Sequence, residues 1–138
     1  MFLTEKLQRL ADNFAVLPDH QERLAAVVDR ARRLAPLPAA QRTAAHRVAG
    51  CVSVVWLVGE LRSDGTCRFH SDAESPLVRG LVAFVCDFFS GAPAAAIAAC
   101  EIDPLEALGL APHLSPTRRN GLAAVRAAIR AFAKEQTK

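Results

Sequence analysis

The sequence runs to 138 residues, 51% of them apolar, and sets 17 Lys and Arg against 14 Asp and Glu for a formal net charge of +3; that is enough chain for one domain with its own core, expected over 1–138. The basic residues are scattered, Tyr is absent and aromatics make up only 6%, which excludes a dense phosphate-binding face with rings to stack bases, so no nucleic acid is expected as a partner. Charges fall throughout residues 1–12, where a signal peptide needs an apolar run, and Asp87 breaks the longest apolar stretch well short of the ~20 residues of a membrane span, so a cytoplasmic protein without membrane contact, monomeric by default, is expected.

Thr4 is placed to cap a first helix, with Leu7, Leu10, Ala11 and Phe14 at helical spacing and Pro18 beyond its end. Asp19 with Glu22 three residues on forms a capping-box pattern before a second helix, which lines Leu24, Val27, Val28, Ala31 and Leu34 along one stripe. Ala35-Pro36-Leu37-Pro38 stops that helix and supplies a stiff connector.

Between His46 and Ser71 the periodicity changes. Residues 52–58 are largely β-branched and apolar, which predicts a strand. Ser63-Asp64-Gly65 marks a turn, and beyond it Cys67, Phe69 and Ser71 alternate with Arg68 and His70. Gly50-Cys51 stands at the entrance to the 52–58 strand. A tight turn there, after a shorter strand around Arg47-Val48, completes a three-stranded antiparallel meander.

Ser75-Pro76 opens a helix over 76–90 with Leu77, Val78, Leu81, Val82, Val85 and Phe89 on one face and Cys86 beside it. Pro93 and the alanines up to Cys100 predict a short helix, Asp103-Pro104 another that stops at Gly109, and Ser115-Pro116 a C-terminal helix over 115–134. Helices, then grouped strands, then helices make an α+β fold, in which a small three-stranded antiparallel sheet is covered by the 76–90 helix.

The four cysteines, Cys51, Cys67, Cys86 and Cys100, include no C-x-x-C pair and no His at metal-ligand spacing, so neither a metal site nor a resident cofactor is expected. A free Cys is ordinarily a small buried hydrophobe. A strand position for Cys67, a helix face for Cys86 and a helix end for Cys100 fit that reading. Cys51 differs. It follows Gly50 at a strand entrance, where a turn projects a side chain away from the packed body. A nucleophilic thiol needs such access and help in ionising, because a thiol of pKa about 8.5 is only a few per cent thiolate at neutral pH. Cations or a helix N-terminus supply that help.

The C-terminal helix offers a cation. At about 100° per residue, Leu122, Val125, Ile129 and Phe132 form its inward stripe, and Arg118 projects onto the centre of that stripe one turn ahead of Leu122. Arg119, Arg126 and Arg130 fall together on another side, as solvated charges do. A cation in the first turn also opposes the helix dipole. Arg118 is therefore either paired with a carboxylate, for which Asp72, Glu74 and Asp103 are candidates, or placed to face an anion such as a thiolate or persulfide at Cys51.

The run His46-Arg47-Val48-Ala49-Gly50-Cys51-Val52-Ser53-Val54-Val55-Trp56-Leu57 closely resembles the SufE-family signature R-V-x-G-C-x-S-x-V-W around the acceptor cysteine. Ser71-Asp72-Ala73-Glu74, followed by Leu77-Val78-Arg79-Gly80-Leu81, resembles the family's acidic segment and its V-x-G-L helix start. His113-Leu114-Ser115-Pro116-Thr117-Arg118-Arg119-Asn120-Gly121-Leu122 resembles its H-L-[ST]-P-x-R-x-x-G-L motif. With the opening helices and the connector, the resemblance covers nearly the whole chain. His46, Ala49, Val52 and Glu74 stand where the family commonly has Asn, Pro, Gln and Asp.

The resemblance implies a SufE/IscU-like fold and a sulfur acceptor. Cys51 would take sulfane sulfur from a PLP-dependent cysteine desulfurase as a persulfide, stimulate that enzyme, and pass the sulfur to an iron–sulfur cluster scaffold. The resemblance also implies that Arg118 neighbours Cys51 and stabilises its anion. The chain has no PLP lysine motif and no Gly-rich phosphate loop, so the electron sink belongs to the partner and the chain is not an independent enzyme. Two other readings stand beside this one. An iron–sulfur scaffold needs several convergent ligands, which would take Cys67 and Cys86 out of core positions. An adaptor that activates the desulfurase by docking alone would make Cys51 dispensable. A loop with two arrangements is also expected, Cys51 turned inward against the 76–90 and 115–134 helices in the free protein and extended when the desulfurase binds.

Overall fold

Caps and breakers set the element boundaries. In the computed structural model, whose described residues are 2–138, the elements follow in the order α1 (Phe2–Phe14), α2 (His20–Arg32), β1 (Val55–Leu61), β2 (Cys67–Ala73), α3 (Pro76–Phe89), α4 (Ala94–Ala99), α5 (Pro104–Ala107) and α6 (Pro116–Gln136). Met1, the first residue of the domain expected over 1–138, lies outside the described residues. Asp19 caps α2 by accepting from the Gln21 amide, and Ser75 caps α3 through the Val78 amide. Asp103 caps α5 through the Leu105 and Glu106 amides, and Ser115 caps α6 through the Arg118 amide. A proline follows each of Ser75, Asp103 and Ser115, where its missing N–H is no loss and its fixed φ suits a first turn. Thr4 lies inside α1 rather than at its cap, because the helix already runs from Phe2.

The sheet is smaller than expected. β1 and β2 form an antiparallel hairpin that pairs Val55 with Ala73 at one end and Leu61 with Cys67 at the other. Gly65, at φ 84, provides the left-handed residue of its turn. The strand expected over 52–58 begins only at Val55, since the residues before it form the turns that carry Cys51. The third strand expected around Arg47-Val48 is a single bridge opposite Trp56, with the Val48 N–H donating to the Val55 carbonyl at 2.9 Å. A 3-10 turn at Ala44–His46 precedes it and Gly50, at φ 89, follows it, so the chain lies along β1 for too short a run to continue the ladder. The fold is α+β, with two strands rather than three.

Helix α3 sits at the centre. It packs on β2, α2 and α6, and Leu81, Val85, Phe88 and Phe89 lose all contact with solvent. A helix apolar on so many sides has to be enclosed. At its Cys67 end the outer edge of β2 is closed by the segment after α3, through Cys67 N–H to the Ala92 carbonyl at 2.9 Å and Gly91 N–H to the Cys67 carbonyl at 2.8 Å. Among the described residues no helix is long and apolar enough to cross a membrane.

Candidate functional site

The turn that carries Cys51 is pinned against α6. Gly50 takes a positive φ that an L side chain resists, and a Cβ there would touch the Ala124 Cβ at 3.4 Å. Cys51 is consequently half-buried, and its Sγ donates to the carbonyl oxygen of Gly121 at 3.3 Å. A Cβ placed on Gly121 would stand in ordinary contact with the Cys51 Sγ at 3.6 Å. The thiol borders a cavity of about 250 Å³ walled by Val78, Leu81 and Val82 of α3 and by Leu122 and Val125 of α6. The exposed first turn of α6, with Thr117 and Arg118, forms its polar side. Next to the thiol, Val52 is 81% exposed.

Burial pushes the Cys51 thiol above the ordinary range, and the Arg47 guanidinium draws it partway back. The resting group at neutral pH is therefore a protonated thiol. Arg47 stands within the cysteine motif, yet sequence reasoning passed over it; the available signal was a cation four residues ahead of Cys51 in that motif. Arg118 borders the cavity as an exposed residue and not as part of the packed stripe, and it forms no ion pair among the described residues. Two carboxylates considered for it are engaged elsewhere, Asp72 with Arg79 at 3.0 Å and Asp103 with Arg126 at 3.5 Å. The expected solvated group on α6 also divides. Arg119 is exposed, whereas Arg126 and Arg130 are partly covered and the Arg130 Nε is buried without a hydrogen-bond partner.

All four thiols are free. Cys67 is fully buried in β2 and its thiol is raised by that burial. Cys86 is buried in α3 and pushed up to about 12 by loss of solvent, against a smaller pull from a hydrogen bond with Ser71. Cys100 is half-buried at the C-terminal cap of α4. Cys51 is the thiol that combines access with a cavity. Among the described residues no three His, Cys, Asp or Glu side chains converge as a metal site would require.

This arrangement has relatives. Residues 8–133 match the family SufE, an Fe-S metabolism associated domain. The chain belongs to the SufE family. It is 36% identical over 120 residues to an uncharacterized SufE-like protein of Rhizobium meliloti (strain 1021), covering 84% of this chain and 86% of that protein. It is also 36% identical over 132 residues to an uncharacterized SufE-like protein of Rhizobium etli, covering 93% and 89%. A segment of the chloroplastic quinolinate synthase of Oryza sativa subsp. japonica is 42% identical over 87 residues, 63% of this chain but only 12% of that protein. The solution structure of a hypothetical protein from Thermus thermophilus shares the fold, with a TM-score of 0.71 at 20% identity over 96% of each chain. SufE membership implies a role in iron–sulfur metabolism with a cysteine desulfurase as partner.

Proposed function

We propose that this SufE protein is a sulfur acceptor whose Cys51 becomes a persulfide. The observation that carries the reading is the placement of Cys51, a half-buried thiol that borders a cavity beside the exposed Val52, while Cys67 and Cys86 stay in the core. The donor is the persulfide of a PLP-dependent cysteine desulfurase. Cys51 gives up its proton and its thiolate attacks the outer sulfur of that persulfide. A bond forms between Cys51 Sγ and the outer sulfur, the donor's S–S bond breaks, and the electron pair leaves with the donor cysteine, which then takes a proton. No net oxidation occurs. PLP chemistry stays with the partner.

Arg47 and Arg118 are the cations for the anion formed on Cys51. Arg47 already acts on the thiol, and Arg118 borders its cavity without a carboxylate to hold it. The whole chain acts as one cytoplasmic sulfur-acceptor domain that stimulates the desulfurase and hands sulfur on to an iron–sulfur cluster scaffold. The test is intact mass after incubation with a PLP desulfurase and cysteine. Addition of sulfur should be removed by reductant and lost in Cys51→Ser, but kept when Cys67, Cys86 or Cys100 is changed singly to Ser. Full stimulation of the desulfurase by Cys51→Ser would favour docking without transfer.

A further inference from the structure

The Cys51–Gly121 contact depends on a proton that sulfur loading removes. We infer that the Gly121 carbonyl is a positioning group that distinguishes the empty thiol from the loaded persulfide, holding the first inward and releasing the second. The setting rests on the sulfur-acceptor reading; the device itself rests on one contact.

In that contact the Cys51 Sγ–H is the donor and the Gly121 oxygen, 3.3 Å away, the acceptor. A backbone carbonyl has two lone pairs, so one inside a helix can take a second donor beside the bond of its own turn. It cannot donate, so the contact exists only while the sulfur has a proton. The Cys51 backbone lies close to α6 as well: a Cβ on Gly121 would sit in ordinary contact with the Cys51 Cα at 4.0 Å. Nothing comparable holds the next residue, because Val52 is 81% exposed.

Loading changes the sulfur. In the persulfide, Sγ is bonded to Cβ and to the outer sulfur and has no hydrogen. The outer S–H is more acidic than a thiol, so the loaded side chain is an anion at neutral pH. Its lone pairs then face the lone pairs of the carbonyl, and attraction becomes repulsion. The cavity of about 250 Å³ has room for another sulfur atom; its Val78, Leu81 and Val82 wall offers an anion no hydrogen bond, whereas Thr117 and Arg118 on its polar side carry donors. The cations available are the exposed Arg47 and Arg118. Loading therefore turns the side chain off Gly121 toward the exposed guanidinium groups and loosens the 49–54 turn. An empty acceptor stays closed, and a loaded one is ready to hand its sulfur on.

The experiment uses the full chain in a Cys100→Ser background, which leaves Cys51 as the thiol outside the core. The infrared S–H stretch of Cys51, isolated by subtracting Cys51→Ala, should lie below that of an exposed thiol. Treatment with methyl methanethiosulfonate places a neutral, proton-free sulfur where the persulfide sulfur would sit. Hydrogen exchange at the Val48 amide, whose bond to the Val55 carbonyl closes the 49–54 turn, should then rise about two- to tenfold, the factor expected for losing one modest hydrogen bond, and fall again on reduction. Cys51→Ala, which removes the donor without adding bulk, should show the same rise. Cys51→Ser, which keeps a donor, should leave exchange at the Val48 amide at the wild-type rate. An S–H band at the exposed-thiol position, or equal exchange in the thiol, Ala and methylthio forms, overturns the inference. No desulfurase is involved, so a failure to accept sulfur from one sinks the acceptor reading and leaves these results standing.

Discussion

Asp72 and Arg79 meet at 3.0 Å beneath the proline-rich connector, and together they fasten it to the body of the protein. The buried Asp72 carboxylate also accepts from the Leu37 amide at 3.1 Å and the Ala73 amide at 2.9 Å, while an Arg79 Nη donates to the Leu34 carbonyl at 3.0 Å. The acidic segment of the motif is thus structural at this position. Asp72→Ala leaves two amides and a guanidinium without their acceptor, and should cost about 2–4 kcal/mol in urea unfolding. A loss under about 0.5 kcal/mol, the range of an ordinary surface substitution, would show that the connector is held by packing alone.

Alkylation of Cys51 should follow a pH profile displaced above that of an ordinary thiol, because burial outweighs the pull of Arg47. Removing the guanidinium in Arg47→Ala should displace the profile further upward and slow the reaction at neutral pH. Arg47→Lys should recover most of the difference. Identical profiles for wild type and Arg47→Ala would remove Arg47 from the electrostatics of the site.

Cys86 ties stability to alkaline pH. Its folded thiol is pushed up to about 12, whereas an unfolded chain ionises near 8.5. The unfolded state therefore loses its proton first as pH rises. The advantage of a neutral buried thiol is complete below the ordinary thiol range and disappears progressively toward the folded value. Wild type should lose up to about 1.4 kcal/mol per pH unit in that interval relative to Cys86→Ala, whose own curve lacks this slope. Parallel denaturation curves from pH 8 to pH 10.5 would contradict it.

Two glycines on helices should respond in opposite ways to alanine. A Cβ on Gly80 would stand 2.9 Å from the Val28 Cα and 3.3 Å from its amide nitrogen, backbone atoms that move only with α2. Gly80→Ala should destabilise by about 1–3 kcal/mol despite its better helix propensity. At Gly121 the added Cβ meets Cys51 at ordinary contact distance, so propensity prevails and Gly121→Ala should stabilise by about 0.5–1 kcal/mol. The same methyl group narrows the space beside the sulfur, so sulfur acceptance should slow. Melting temperatures and loading rates measured on both variants separate these effects.

Helix starts were the most legible feature of this chain, because a capping side chain followed by proline at Ser75, Asp103 and Ser115 acts through local geometry alone. The hairpin was legible too, from Asp64-Gly65 and the alternation after Cys67. The third strand failed because strand pairing is decided by what surrounds it, here the 3-10 turn at Ala44–His46 and the left-handed Gly50. Cys51 could be picked out by its position after Gly50 and by the motif. Its acceptor could not, since Gly121 lies 70 residues away and contributes a backbone oxygen. A helical wheel placed Arg118 near the site but put it on the packed face. It could not anticipate that Arg130, further along α6, would be the one with a covered Nε.

The half-buried thiol has a bearing on durability as well. Peroxide attacks thiolates, and the ladder from sulfenic to sulfinic and sulfonic acid ends in a dead protein. Burial that keeps Cys51 protonated lowers its rate of useful reaction and its rate of damage together. On the sulfur-acceptor reading, a partner that drew out the 49–54 turn would raise the useful rate only where a donor sulfur is already waiting. Between such encounters a protonated thiol would let the chain idle among oxidants, with a working life set by how seldom that turn opened unattended.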